Sequence, residues 1–150
     1  MSDISIADTI PHRSPMLLVD NVVDSNEHEI TCSKRFREDE FFFQGHYPEQ
    51  PLVPGVILCE CAAQAAAVLL AHYHVEPGQM AEQVPVLTRM NKVKFKKTVH
   101  PGDEIEIHVK LNQTLSGAFF LAATLKHDGK TAVTLELACT LAPKSITQQA

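Results

Sequence analysis

The sequence predicts an α+β chain in which a curved antiparallel sheet of about six strands wraps one long hydrophobic helix. Three observations predict it. The run VILCECAAQAAAVLLA, Val56 to Ala71, has only Glu60 and Gln64 as strongly polar residues. A helix that is apolar on every side cannot rest on one face of a sheet with its back in water. Strand-like segments flank it on both sides, and turn signals separate several of them.

The elements follow in chain order. Ile4 to Ile10 can form a short helix, stopped by Pro11. MLLVDNVVDS, Met16 to Ser25, is apolar and β-branched enough for a strand, and EITCSKRFR, Glu29 to Arg37, alternates as a second. The segment Glu38 to Gly55, EDEFFFQGHYPEQPLVPG, is a loop by its prolines and glycines, yet an apolar one. Long loops of this kind more often hold sites than act as spacers. Pro54 sits just before the helix, where a missing N–H costs little. His72 to Gln83 reads as irregular. Four strands are then expected: Val84–Lys94, Asp103–Thr114, Gly117–His127 and Lys130–Leu141. EIEIHVKL alternates cleanly; Leu115-Ser116-Gly117 and Asp128-Gly129 are hairpin turns, the second with a type I′ signature. An antiparallel sheet curled around a central helix is the hotdog fold. A second subunit covering the helix would meet the same need.

With 150 residues, the chain is expected to be one domain, 1–150. Its 45% hydrophobic and 21% charged residues are ordinary for a soluble globular protein. A net charge of −5 argues against nucleic-acid binding as the main task. The start, MSDISIADTIPHR, has no basic flank before an apolar run, so no signal peptide is expected. Val56–Ala71 reads as too short and too interrupted by Glu60 to span a bilayer, and the expected compartment is the cytoplasm. Cys32, Cys59, Cys61 and Cys139 fit buried free thiols and show no zinc spacing.

Glu60 is the anomaly of the helix, with Gln64 on the same face four residues on. One reading puts both at a solvent gap or a subunit interface. The other is a carboxylic acid in an apolar site that keeps its proton near neutral pH and can donate it. His46, in FFFQGHYPEQP, sits on a stiffened apolar loop where an imidazole can act as a base. Gly55 opens the helix, so its N–H is an unpaired donor at the positive end of the dipole, suited to a carbonyl oxygen gaining charge. Base, acid and oxyanion donor within sixteen residues form an uncommon set. His72 and His74 make an HxH pair without supporting ligands, and no GxGxxG or Walker loop is present. Lys92, Lys94, Lys96 and Lys97 read as one strand face, either simply solvated or a docking patch for an acidic partner.

The motifs IPHRSPMLLVD, FFQGHYPEQPLVPGVILCECAAQ and KVKFKKTVHPGD, in this order, resemble those of (3R)-hydroxyacyl-acyl carrier protein dehydratases, hotdog enzymes of type II fatty acid synthesis. The resemblance runs from Ile10 to Leu141. It implies His46 and Glu60 as the catalytic pair, Gly55 as the N–H that polarises the thioester carbonyl, and no metal or organic cofactor. It further implies a homodimer with histidine and glutamate from different subunits, in some relatives a trimer of dimers. The substrate would arrive on an acidic acyl carrier protein, giving the lysines a partner. Phe43, Val56, Val86, Leu87 and Phe95 would line the acyl site, and Gln64 would orient Glu60. Where relatives carry LEAMAQ this chain has Cys59-Glu60-Cys61-Ala62-Ala63-Gln64, and Val86-Leu87 stand where many have an aromatic pair. The expected reaction is dehydration of a 3-hydroxyacyl thioester to the trans-2-enoyl thioester. The alternatives are a hotdog acyl thioesterase and a non-catalytic acyl-binding module.

Overall fold

The computed structural model describes residues 3–76 and 82–143. Ile6–Thr9 form α1, Asn21–Ser25 β1, Glu29–Arg35 β2, Gly55–Tyr73 α2, Gln83–Phe95 β3, Glu104–Leu115 β4, Ala118–His127 β5 and Lys130–Pro143 β6. A single 3-10 turn, Phe41–Phe43, interrupts the loop between β2 and α2. The six strands make one sheet in the order β1-β2-β4-β5-β6-β3, and every pairing is antiparallel. Helix α2 packs against β2, β3, β4, β5 and β6. This is the hotdog fold.

Period-two alternation builds the wrapping surface. Ile105, Ile107 and Val109 of β4, Leu121, Ala123 and Leu125 of β5, and Val133, Leu135 and Leu137 of β6 are all buried against the helix. The helix answers with Leu58, Cys61, Val68, Leu69 and Leu70. Burying each such aliphatic side chain contributes about 1.5–3 kcal/mol before entropy is counted. By length and composition this helix could cross a bilayer, contrary to the reading of a run too short to span. Most of it is instead enclosed by the molecule's own sheet.

Several boundaries differ from expectation for physical reasons. β1 begins only at Asn21, and Met16–Asp20 forms no strand, with Met16 N–H bonded to Arg13 O in a turn and Asp20 N–H to Ser33 O of β2. Its backbone polar groups are met partly by Gln64: Leu18 N–H donates to Gln64 Oε1 at 2.8 Å, and Gln64 Nε2 donates to Met16 O at 2.7 Å. Helix α2 continues past Ala71 to Tyr73, whose hydroxyl lies 2.7 Å from Ser25 Oγ. His74 caps it and donates from Nε2 to Glu27 O at 2.6 Å. Part of the expected irregular stretch, 77–81, lies outside the described residues. Both hairpins between β4, β5 and β6 are two-residue turns. Ser116 and Gly117 have φ of 52° and 80°, and Asp128 and Gly129 have 50° and 75°, as type I′ geometry requires. Pro85 is tolerated in β3 because that strand is a sheet edge.

One buried charge pair ties the loop to the sheet. Lys34 shares the inward face of β2 with Ile30 and Cys32, and is 1% exposed. Its Nζ lies 2.8 Å from Glu40 Oε1, while Glu40 Oε2 accepts the Arg37 backbone N–H at 2.9 Å.

Candidate active site

Gln64 is almost completely buried, and the direction of its amide is determined by its neighbours. A backbone N–H can only donate, so the atom facing Leu18 N is the oxygen. The NH2 group therefore donates, to Met16 O and to Glu60 Oε2 at 2.9 Å. Oε2 of Glu60 is thereby an acceptor. A proton on this carboxyl belongs on Oε1, which has no hydrogen-bond partner among the described residues.

Glu60 itself is half-buried, with a side-chain exposure of 31%. Within one chain, therefore, its carboxyl is not enclosed on all sides by apolar side chains. Glu60 lies where the cover of α2 is incomplete: Val56 is exposed, and Ile57, Glu60 and Ala63 are half-buried. Glu60 lies three or four residues from each of the others, and together they form one stripe on the first half of the helix. Its other neighbour is His12, whose Nε2 lies 3.6 Å from Glu60 Oε2. The sequence reading assigned His12 no role. It stands outside any periodic pattern, and only the fold brings it to the helix.

His46 is held from the opposite side of its ring. Nδ1 lies 3.0 Å from Leu52 O, and since a carbonyl only accepts, the ring proton is on Nδ1. Nε2 is left with its lone pair, the form a general base needs. Tyr47 packs its ring edge-on at 4.8 Å between centroids and has a φ of 54°. Among the described residues no hydrogen bond or ion pair joins His46 to Glu60 within one chain.

Gly55 is the first residue of α2, following the N-cap Pro54. Its N–H has no intrahelical acceptor. The Phe95 ring covers it so closely that a β-carbon on Gly55 would lie 2.8 Å from the ring. Phe95 is 55% exposed, and Leu87 and Val56 are exposed as well. Val86 is half-buried on the neighbouring strand β3. Phe43 lies in the core, its ring 4.8 Å from that of Phe42.

The lysines do not form the even row expected of a strand face. A bulge between Asn91 and Lys94, with Lys92 at a φ of 53°, breaks the alternation. Lys92, Lys94 and Lys96 are exposed, and all three border a groove of about 590 Å³ floored by Ala122, Thr124 and Thr134. Lys97 turns away: its Nζ donates to His127 Nδ1 at 3.0 Å. His127 Nε2 then faces Asp103 Oδ1 at 3.4 Å. His72 meets the Tyr73 ring edge-on and His74 caps the helix, so the HxH pair is engaged in packing. No group of histidine, cysteine and acidic residues suited to a metal ion occurs among the described residues.

A hotdog sheet thus surrounds a helix that carries a carboxyl group, an amide that orients it and an open N-terminus. The sequence comparisons place this arrangement in a family. Residues 10–136 match the FabA-like domain, and the chain belongs to that family. It is 40% identical over 127 residues to the 3-hydroxyacyl-[acyl-carrier-protein] dehydratase FabZ of Lactococcus lactis subsp. lactis, covering 85% of each chain. It is 37% identical over 133 residues to the FabZ of Burkholderia thailandensis, covering 88% of this chain and 82% of the relative. Among solved structures, the dehydratase heterocomplex ApeI:P from Xenorhabdus doucetiae has a similar fold. The TM-score is 0.80 at 18% identity, with coverage of 99% of this chain and 97% of that one.

Proposed function

We propose that the chain, as one hotdog domain, is a 3-hydroxyacyl-[acyl-carrier-protein] dehydratase of fatty acid or related acyl biosynthesis. It removes water from a (3R)-hydroxyacyl thioester to give the trans-2-enoyl thioester. Its relatives' activity supports the reaction class. The observation that carries the acid–base reading is that Glu60 and His46 are each oriented by a hydrogen bond that leaves one reactive atom free.

The chemistry follows from those free atoms. The Gly55 N–H, at the positive end of α2, stabilises charge growing on the thioester oxygen. His46 Nε2 takes the C2 proton, and the electrons form the C2–C3 double bond. Glu60 Oε1–H gives its proton to the C3 hydroxyl, and the C3–O bond breaks with water leaving. His46 ends protonated and Glu60 ionised, so returning one proton from histidine to glutamate resets the site. Phe43, Val56, Val86, Leu87 and Phe95 contact the acyl chain.

The working form is a homodimer, with dimers able to assemble further. The uncovered stripe of α2, the exposed Leu87, Met90 and Phe95, and the free edge of β3 call for a second copy, which would supply His46 opposite Glu60. The acyl carrier protein docks at Lys92, Lys94 and Lys96. The protein acts in the cytoplasm, where its four free thiols stay reduced.

The test is mass-spectrometric detection of enoyl thioester from 3-hydroxyacyl carrier-protein substrates of graded length. Glu60→Gln and His46→Ala should each lower turnover by about 10²–10⁴-fold while remaining folded. Near-wild-type turnover by either folded variant would refute the role given to that residue, and release of free thiol without loss of water would point to a thioesterase.

A further inference from the structure

His12 lies on a segment held at both ends. Upstream, the Arg13 guanidinium donates to Ala7 O at 2.8 Å, Ile10 O at 2.9 Å and His12 O at 2.7 Å, fastening the end of α1 and the His12 backbone together. Downstream, Met16 O and Leu18 N are pinned to Gln64. The chain from Ile10 to Leu18 therefore crosses the face of α2 that carries Glu60 and Gln64, and His12 is delivered to the carboxyl by main-chain anchors rather than by its own side chain.

Its ring has one nitrogen to spare and one that is sealed. Nδ1 is buried and has no hydrogen-bond partner among the described residues, whereas Nε2 is 3.6 Å from Glu60 Oε2. A proton on Nδ1 would bury a donor with nothing to accept it and would turn the Nε2 lone pair toward a carboxyl oxygen that already acts as an acceptor. The tautomer with its proton on Nε2 leaves only a bare acceptor inside and aims the N–H at the carboxyl. At 3.6 Å the contact is longer than a hydrogen bond. Contacts of this kind often tighten only when the reacting complex forms.

We infer that His12 is a positioning residue for Glu60: its Nε2–H closes onto Oε2 as the Oε1 proton leaves for the substrate hydroxyl. Together with Gln64 Nε2 it would give Oε2 two donors. The new carboxylate is then met where its charge appears, and Oε1 stays directed outward. The inference rests on Glu60 being the acid.

The experiment compares His12→Gln and His12→Asn in the full-length protein, with a 3-hydroxyacyl pantetheine thioester as substrate. A glutamine amide reaches the place of Nε2, an asparagine amide that of Nδ1. His12→Gln should keep kcat within about threefold of the parent, and His12→Asn should lose about 10–100-fold in kcat with KM little changed. Both variants remove the ring, so a purely structural role would affect them alike. In a Glu60→Gln background the two should not differ. Equal kcat for the two single variants, or a loss confined to KM, would overturn the inference while leaving Glu60 as the acid. A fully active Glu60→Gln variant would overturn both.

Discussion

Lys34 Nζ lies 2.8 Å from Glu40 Oε1, and the two side chains are 1% and 5% exposed. The pair joins the inward face of β2 to the start of the loop that carries His46. Asp20 adds a longer contact to the same ammonium at 3.7 Å. Both charges are out of water, so each depends on the other.

Removing one partner should therefore cost far more than removing both. Lys34→Met is expected to destabilise the fold by about 3–5 kcal/mol, because it leaves Glu40 buried without its cation. Lys34→Met combined with Glu40→Leu should recover much of that loss. Urea unfolding of the two single variants and the double variant measures the coupling. Additive effects would show that the two groups act separately.

The Phe95 ring makes Gly55 a demanding position. In Gly55→Ala the new methyl would meet the ring at 2.8–2.9 Å. The ring is half in solvent and can swing aside, so the thermal midpoint should fall by only a few degrees, about 1 kcal/mol. Turnover should fall more than stability, since the displaced ring no longer frames the Gly55 N–H. Adding Phe95→Ala should restore the midpoint but not the turnover.

The thiols give a prediction about pH. Burial pushes Cys32 up from 9.0 to about 12 and Cys139 to about 11, and it raises Cys59 as well. An unfolded chain ionises these groups first. The stability that comes from keeping them neutral is thus present below the ordinary thiol value and is lost as pH rises from there toward 11–12. Urea midpoints measured in that range should decline, and less steeply in Cys32→Ala. At pH 8 a thiol-labelling disulfide reagent should react only after unfolding.

The lysines should separate by role. Replacing Lys92, Lys94 and Lys96 together by glutamate is expected to raise KM for carrier-borne substrate about tenfold or more at low salt, with KM for a pantetheine thioester unchanged. Lys97→Ala should leave both KM values alone and lower stability instead, because its ammonium is held by His127. Steady-state kinetics at two ionic strengths decides this.

Much of the architecture was legible because the sheet writes its period plainly. EIEIHVKL became β4 with Ile105, Ile107 and Val109 inward, and Asp128-Gly129 became a tight turn. Met16–Asp20 misled because apolar and β-branched residues also suit a segment outside the ladder whose hydrogen bonds go partly to a side chain. Lys34 was readable in principle: a lysine in phase with Ile30 and Cys32 needs a buried carboxylate nearby. Within the site, Glu60 and Gln64 could be paired by helical spacing. His12 could not, since 48 residues separate it from Glu60 and no periodicity links them.

The two-residue turns at Ser116-Gly117 and Asp128-Gly129 also bear on the order of assembly. β4, β5 and β6 form a meander whose pairings begin at two-residue turns and reach no further than Ala118 with Thr140, so their loops close at little entropic cost. β2 must find β4, and β3 must find β6, across far longer stretches of chain. The meander can thus form as a nucleus, with its amides the last to exchange with solvent. The helix would be enclosed only when the two flanks arrive, completing its groove around Glu60 late in folding.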